Sequence, residues 1–203
     1  MSGLGDYKLY SLDIIGSKSL EQVIKFSQTM WKCTCHSERL LVSSGYEGAI
    51  IEEYNMNNFK LIQTYKTPIS CQENQEIVSI QFNTDGTCLG VLLRYGRKDE
   101  YYGVPLEYDY YTFELRNSSS QMNLLSCYTD LLNMNYDLLP FADGQFMVYA
   151  FMDNKFLLFD CNGKLKETIH CDGTNIVSMT LSIKKNSLMI LTRLPDELHF
   201  YDI

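Results

Sequence analysis

Lys155-Phe-Leu-Leu-Phe-Asp160 is a short alternating apolar run of a kind that ends in an aromatic residue or leucine and closes on Asp, Asn or Glu. The chain writes the same phrase four more times: Lys8-Leu-Tyr-Ser-Leu-Asp13, Ile50-Ile-Glu-Glu-Tyr-Asn55, Tyr110-Tyr-Thr-Phe-Glu114 and Glu197-Leu-His-Phe-Tyr-Asp202. The closing positions 13, 55, 114, 160 and 202 lie 42, 59, 46 and 42 residues apart. A period of about 40–45 residues is that of a four-stranded propeller blade, and the one long gap holds an insertion.

The remainder of each period agrees. Glu76–Phe82 leads through Asn83-Thr-Asp-Gly86 into Cys88–Leu93, a strand, an Asp-Gly turn and a second strand. Gly accepts the positive φ that such a hairpin turn imposes. The order recurs at Tyr136–Phe141, Asp143-Gly144 and Gln145–Ala150, and more loosely at Ile176–Ile183 and Ser187–Leu191. Trp31–Cys35 and Leu40–Ser44 flank a polar turn at His36–Glu38 in the first full period. Fourth strands are expected at Glu21–Phe26, Phe59–Tyr65, Met122–Cys127 and Leu165–Ile169.

With the markers Leu12-Asp13, Tyr54-Asn55, Phe113-Glu114, Phe159-Asp160 and Tyr201-Asp202 standing where that family has Trp-Asp, the chain resembles the WD-repeat family in a divergent form. No marker keeps the Trp, and no Gly-His dipeptide precedes a first strand. The resemblance implies an all-β fold, a β-propeller of four-stranded antiparallel blades. Residues 1–203 then form one propeller region with units near 8–26, 30–66, 76–128, 134–170 and 175–203. The expected whole is a seven- or eight-bladed ring of which about four blades are covered; a small four-bladed ring is the alternative. The strand Glu21–Phe26 is a candidate to complete the unit Ile176–Ile203. The competing architecture is a β-sandwich with turns every 8–12 residues, which does not require five phased markers.

Composition narrows the function. The formal net charge of −8 opposes nonspecific attraction to phosphate backbones or anionic lipid, so no direct nucleic-acid partner is expected. The densest apolar run, Phe146–Met152, is far shorter than the roughly 20 residues of a membrane span, and membrane association is expected only through partners. No secretory leader is legible at the N-terminus. Seven Cys without a framework spacing read as reduced thiols in the cytoplasm or nucleus.

No catalytic constellation is expected, and no cofactor or metal. The three His fall in no nucleophile-elbow, zinc-protease or phosphate-loop pattern. Cys33-Thr-Cys35-His36 lacks the second ligand pair of a structural zinc site and is expected to be buried strand cysteines. Glu52 and Glu53 face opposite sides of a strand, and Asn117-Ser-Ser119 is expected to be a turn.

The insertion Tyr95–Tyr111 is the most unusual stretch, with six Tyr, four carboxylates and one Pro. Tyr offers large contact area at low entropic cost. The expected role is therefore a noncatalytic scaffold or adaptor that binds other protein subunits, with Arg97, Tyr101, Tyr102, Tyr108 and Tyr110 as contact residues. Packing of these Tyr on neighbouring blades is the plainer reading. The polar loop Thr67–Glu76 is a lesser candidate on the same face. The rival from another class is a small-molecule or catalytic propeller using its central channel, through Ser79, Gln81, Ser178 and Thr180. Phosphoinositide recognition lacks its paired-arginine signature.

Overall fold

The computed structural model describes residues 8–12, 20–25, 30–44, 50–66, 75–101, 104–132, 136–150, 154–170, 175–182, 187–193 and 197–202. Asp13, Tyr102 and most of the loop Thr67–Glu76 (67–74) lie outside them. The chain divides into two compact units, Met1–Ile77 and Val78–Ile203.

In the first unit β1 (Lys8–Leu12) and β2 (Leu20–Lys25) form a hairpin, registered from Lys8↔Lys25 to Leu12↔Leu20. The partner of β2 within this unit is thus β1. A four-stranded meander follows: β3 (Met30–His36), β4 (Arg39–Ser44), β5 (Ile50–Asn55) and β6 (Leu61–Lys66). One of its faces buries Leu40, Val42 and Tyr54 beside Met56 and Phe59.

Next come β7 (Gln75–Phe82), β8 (Cys88–Tyr101), β9 (Val104–Asn117) and β10 (Leu124–Leu132), again a four-stranded antiparallel sheet. The fourth sheet is β11 (Tyr136–Pro140), β12 (Phe146–Ala150), β13 (Lys155–Phe159) and β14 (Leu165–His170). The last holds three strands, β15 (Asn175–Ser182), β16 (Ser187–Arg193) and β17 (Glu197–Asp202).

Sheets of the second unit stack face to face. Leu92, Phe113 and Leu115 of the third sheet share one core with Leu138, Phe146, Val148, Leu157 and Phe159 of the fourth. The opposite face of the fourth sheet packs Met147, Tyr149 and Phe156 against Ile176, Met179, Leu188 and Ile190 of the last. All five residues of β12 are therefore buried, since period-2 alternation gives side chains to both covered faces. Phe113 lies 4.4 Å from Phe159 and 5.8 Å from Phe146, ring centre to ring centre. Such aromatic pairs add about 0.5–1.5 kcal/mol each beyond area burial. Gly90 makes the approach possible, because a Cβ there would stand 2.7 Å from the Phe146 ring.

The marker residue closes the turn from third to fourth strand. Asn55 Oδ1 accepts the backbone N–H groups of Asn57 at 2.8 Å and Asn58 at 3.3 Å. Asp160 Oδ1 accepts those of Asn162 and Lys164, both at 2.9 Å. These are side-chain turns that substitute for backbone pairing. The backbone N–H of Lys164 holds the Asp160 carboxyl below its ordinary range.

In the third sheet this office belongs to Asn117, not Glu114. Asn117 Oδ1 accepts the N–H of Asn123 at 2.9 Å and the Ser119 hydroxyl at 2.7 Å. Its register partner is Cys88, the first residue of β8, as Asn55 is opposite Arg39, the first of β4. Reading the closing positions as 55, 117, 160 and 202 makes the last two gaps 43 and 42 residues. The shift has a physical cause: Arg116 stands where the second, fourth and fifth sheets place Tyr54, Phe159 and Tyr201, so the pattern fits three residues too early, at Phe113-Glu114.

Candidate functional site

Strands β8 and β9 have 14 residues each, whereas the other strands have five to nine. Their register is unbroken from Cys88↔Asn117 to Tyr101↔Val104. Residues 95–101 and 104–111 are therefore paired strands of one β-ribbon. Pairing of β10 with β9 ends at Leu132↔Tyr110. Beyond that rung six register pairs of β8 and β9 remain, from Gly96↔Asp109 to Tyr101↔Val104, a length of about 20 Å at strand rise.

Register sorts this ribbon into two unlike sets. Tyr95↔Tyr110, Arg97↔Tyr108, Asp99↔Leu106 and Tyr101↔Val104 occupy one face by alternation. Gly96↔Asp109, Lys98↔Glu107 and Glu100↔Pro105 occupy the other. Four Tyr and both aliphatic residues thus share a face, and three of the four carboxylates share its reverse. Alternation is the sequence pattern of a half-covered strand pair. Of the expected contact residues, Arg97, Tyr101, Tyr108 and Tyr110 fall together on the aromatic face, while Tyr102 is outside the described residues.

That face continues toward the sheet through Leu93↔Thr112, Val91↔Glu114 and Leu89↔Arg116. Here sits a buried ion pair absent from the expectations. Arg116 Nε donates to Glu114 Oε2 at 2.9 Å, a second guanidinium nitrogen donates to the same oxygen, and Nη1 donates to the Met122 carbonyl at 3.0 Å. Both side chains are about 1% exposed. A charge of either sign alone would be costly there, so the two residues stand or fall together. Its signal in sequence was Glu114-Leu-Arg116, charges two apart within an apolar strand.

The first unit carries a related cluster. Arg39 Nε donates to Glu53 Oε1 at 2.6 Å and Nη2 to Oε2 at 3.3 Å, while the Tyr65 hydroxyl donates to Glu53 Oε2. Burial alone would raise the Glu53 carboxyl, but the hydrogen bonds from Arg39 and Tyr65 prevail and hold it low. Tyr65 is pushed up to about 12, first by burial and then by its bond to Glu53. Glu52 lies on the reverse face and accepts the Tyr54 hydroxyl at 2.7 Å. These groups are occupied with one another, an arrangement that stabilises a sheet rather than a reacting ligand.

Among the channel candidates, Ser79 is buried and donates to Asp137 Oδ1 at 3.3 Å, tying β7 to β11. Gln81 is half-buried and Thr180 exposed. Cys33 and Cys35 are both exposed, which corrects the expectation of buried thiols; they lie on the edge strand β3. Among the described residues no group of three or more His, Cys, Asp or Glu could hold a metal ion. No helix among them is long and apolar enough to cross a membrane.

No protein-family model matches the chain, and no curated protein matches it in sequence. Solved structures do match in shape. The Cps50 (Swd1) β-propeller domain of Myceliophteria thermophila is 9% identical at a TM-score of 0.63, covering 97% of this chain and 63% of that one. The Dos1 propeller is 13% identical at 0.57, covering 89% and 44%. A chain of the mitotic checkpoint complex is 13% identical at 0.59, covering 93% and 53%. The chain thus spans between two fifths and two thirds of the length of these propellers. Successive antiparallel sheets of three or four strands, together with this likeness in shape, give the protein a β-propeller fold.

Proposed function

We propose that the protein is a noncatalytic scaffold that holds other protein subunits, with the β8–β9 ribbon as its contact surface. The observation that carries this reading is the ribbon itself: six register pairs beyond the last rung of β10, with Tyr and aliphatic positions gathered on one face. An isolated two-stranded ribbon is marginally stable in water, so a sequence that maintains one benefits from a surface to lay it on. Tyr is enriched where binding energy concentrates, and Arg97 adds a planar donor to the same face. Propellers of similar shape include a chain of the mitotic checkpoint complex, a multi-subunit assembly. The shape supports a scaffold in general; the partner surface is read from the ribbon alone.

Replacing residues 97–108 by a two-residue Asn-Gly turn would remove the ribbon and leave the sheet below it. Photo-crosslinking groups at positions 101 and 108 of the intact chain would identify what lies against it. The expected result is a discrete crosslinked protein that the shortened chain no longer retains while its circular dichroism is unchanged. Retention of every partner by the folded, shortened chain would overturn the assignment.

A further inference from the structure

A side chain on an edge strand has a cross-strand neighbour on one side only, and β3 is an edge strand of the sheet β3–β4–β5–β6. Cys33 is registered with Val42 and Cys35 with Leu40, so the two cysteines share one face, two residues apart. Val42 and Leu40 are buried, at 3% and 5% exposure, and Thr34 between the cysteines is buried on the reverse face. Cys33 and Cys35 remain open on this strand beside the exposed Lys32, and both are free thiols.

We propose that Cys33 and Cys35 form a two-thiolate site for a soft, low-coordinate monovalent cation of the cuprous class. Spacing favours an ion over a direct bond. Two residues of strand cover about 6.6 Å, whereas a disulfide wants Cβ atoms about 3.5–4.5 Å apart. Two metal–thiolate bonds of about 2.3 Å set end to end reach about 4.6 Å between sulfurs, which thiols leaning toward each other along a strand can span. Coordination number selects the ion. A structural zinc site uses four ligands, and among the described residues no third His, Cys, Asp or Glu joins this pair. Thiolates alone suit the cuprous ion, which needs fewer.

Binding replaces a proton on each sulfur: two S–H bonds break, two metal–sulfur bonds form, and two protons pass to solvent. No electron is transferred. The bound centre carries one net negative charge. Burial, and after it the nearby Cys35, push the Cys33 thiol above its ordinary range in the free chain, and the charge of Lys32 offsets part of that rise and part of the bound centre's negative charge.

The test uses the reduced chain of residues 1–203, without oxygen, titrated against cuprous ion held as its coloured bicinchoninate complex. The expected result is withdrawal of one equivalent by the native chain and by a Cys127→Ser/Cys161→Ser chain, and none by Cys33→Ser/Cys35→Ser. No withdrawal by the native chain, or undiminished withdrawal by Cys33→Ser/Cys35→Ser, overturns the site. Mapping on the native chain guards against a variant that misfolds. With cuprous ion present, Cys33 and Cys35 should resist iodoacetamide while Cys127 and Cys161 react. Equal protection of all four thiols, or of none, also overturns it.

Discussion

The third and fourth sheets are built to one plan and used differently. In the fourth, β12 and β13 meet over five register pairs, from Phe146↔Phe159 to Ala150↔Lys155, and both faces are spent on packing. In the third, β8 and β9 meet over 14 pairs, one face joins that same core, and the other carries a buried ion pair before running out into the ribbon. A sheet needs only about five residues per strand to hold its place in the stack. What exceeds that minimum is free to serve something outside the stack, so the contrast locates the functional candidate.

Breaking the packing should produce the largest effects. Phe146→Ala empties the shared core and should cost about 4 kcal/mol, read as a lowered denaturant midpoint. Arg116→Ala should cost nearly as much, about 3–5 kcal/mol, because it strands the buried Glu114 carboxylate. The double change Glu114→Leu/Arg116→Met should restore most of that loss. A double variant as unstable as the single would show that the pair is not acting as a unit. Gly90→Ala should cost about 2 kcal/mol, since the added methyl collides with Phe146.

A smaller effect sharpens the comparison with the first unit. Tyr65 has its pKa raised from 10.0 to about 12, so its stabilising contribution is complete below pH 10 and is lost as pH rises through 12. Thermal melts between those limits should show a steeper alkaline fall for the native chain than for Tyr65→Phe. Identical slopes would mean that the hydroxyl bond to Glu53 contributes nothing. Smallest of all in stability, removal of 97–108 should change the unfolding free energy by no more than about 0.5 kcal/mol while abolishing partner retention. A large loss would reassign the ribbon from contact surface to core.

Much of this was legible along the chain. Strand order, the Asp-Gly turns and the fourth strands follow from alternation and turn chemistry, which depend on neighbours a few residues apart. The Asp160 marker could be read directly because its carboxyl acts within its own turn, on residues 162 and 164. Asn117 hid for the opposite reason: the Arg116 before it is tolerated only because Glu114 lies beside it in a buried place, and burial is not written locally.

By itself, then, the amino-acid order determined an all-β repeat with its period and its turns, since each is settled by contacts of short reach. Tertiary structure alone decided that 95–101 and 104–111 prolong two paired strands, that Cys33 and Cys35 stay exposed, and that β2 pairs with β1. The reason is physical. Where a strand stops, and which of its faces is covered, depends on what lies across the sheet, and that neighbour is drawn from a distant part of the chain.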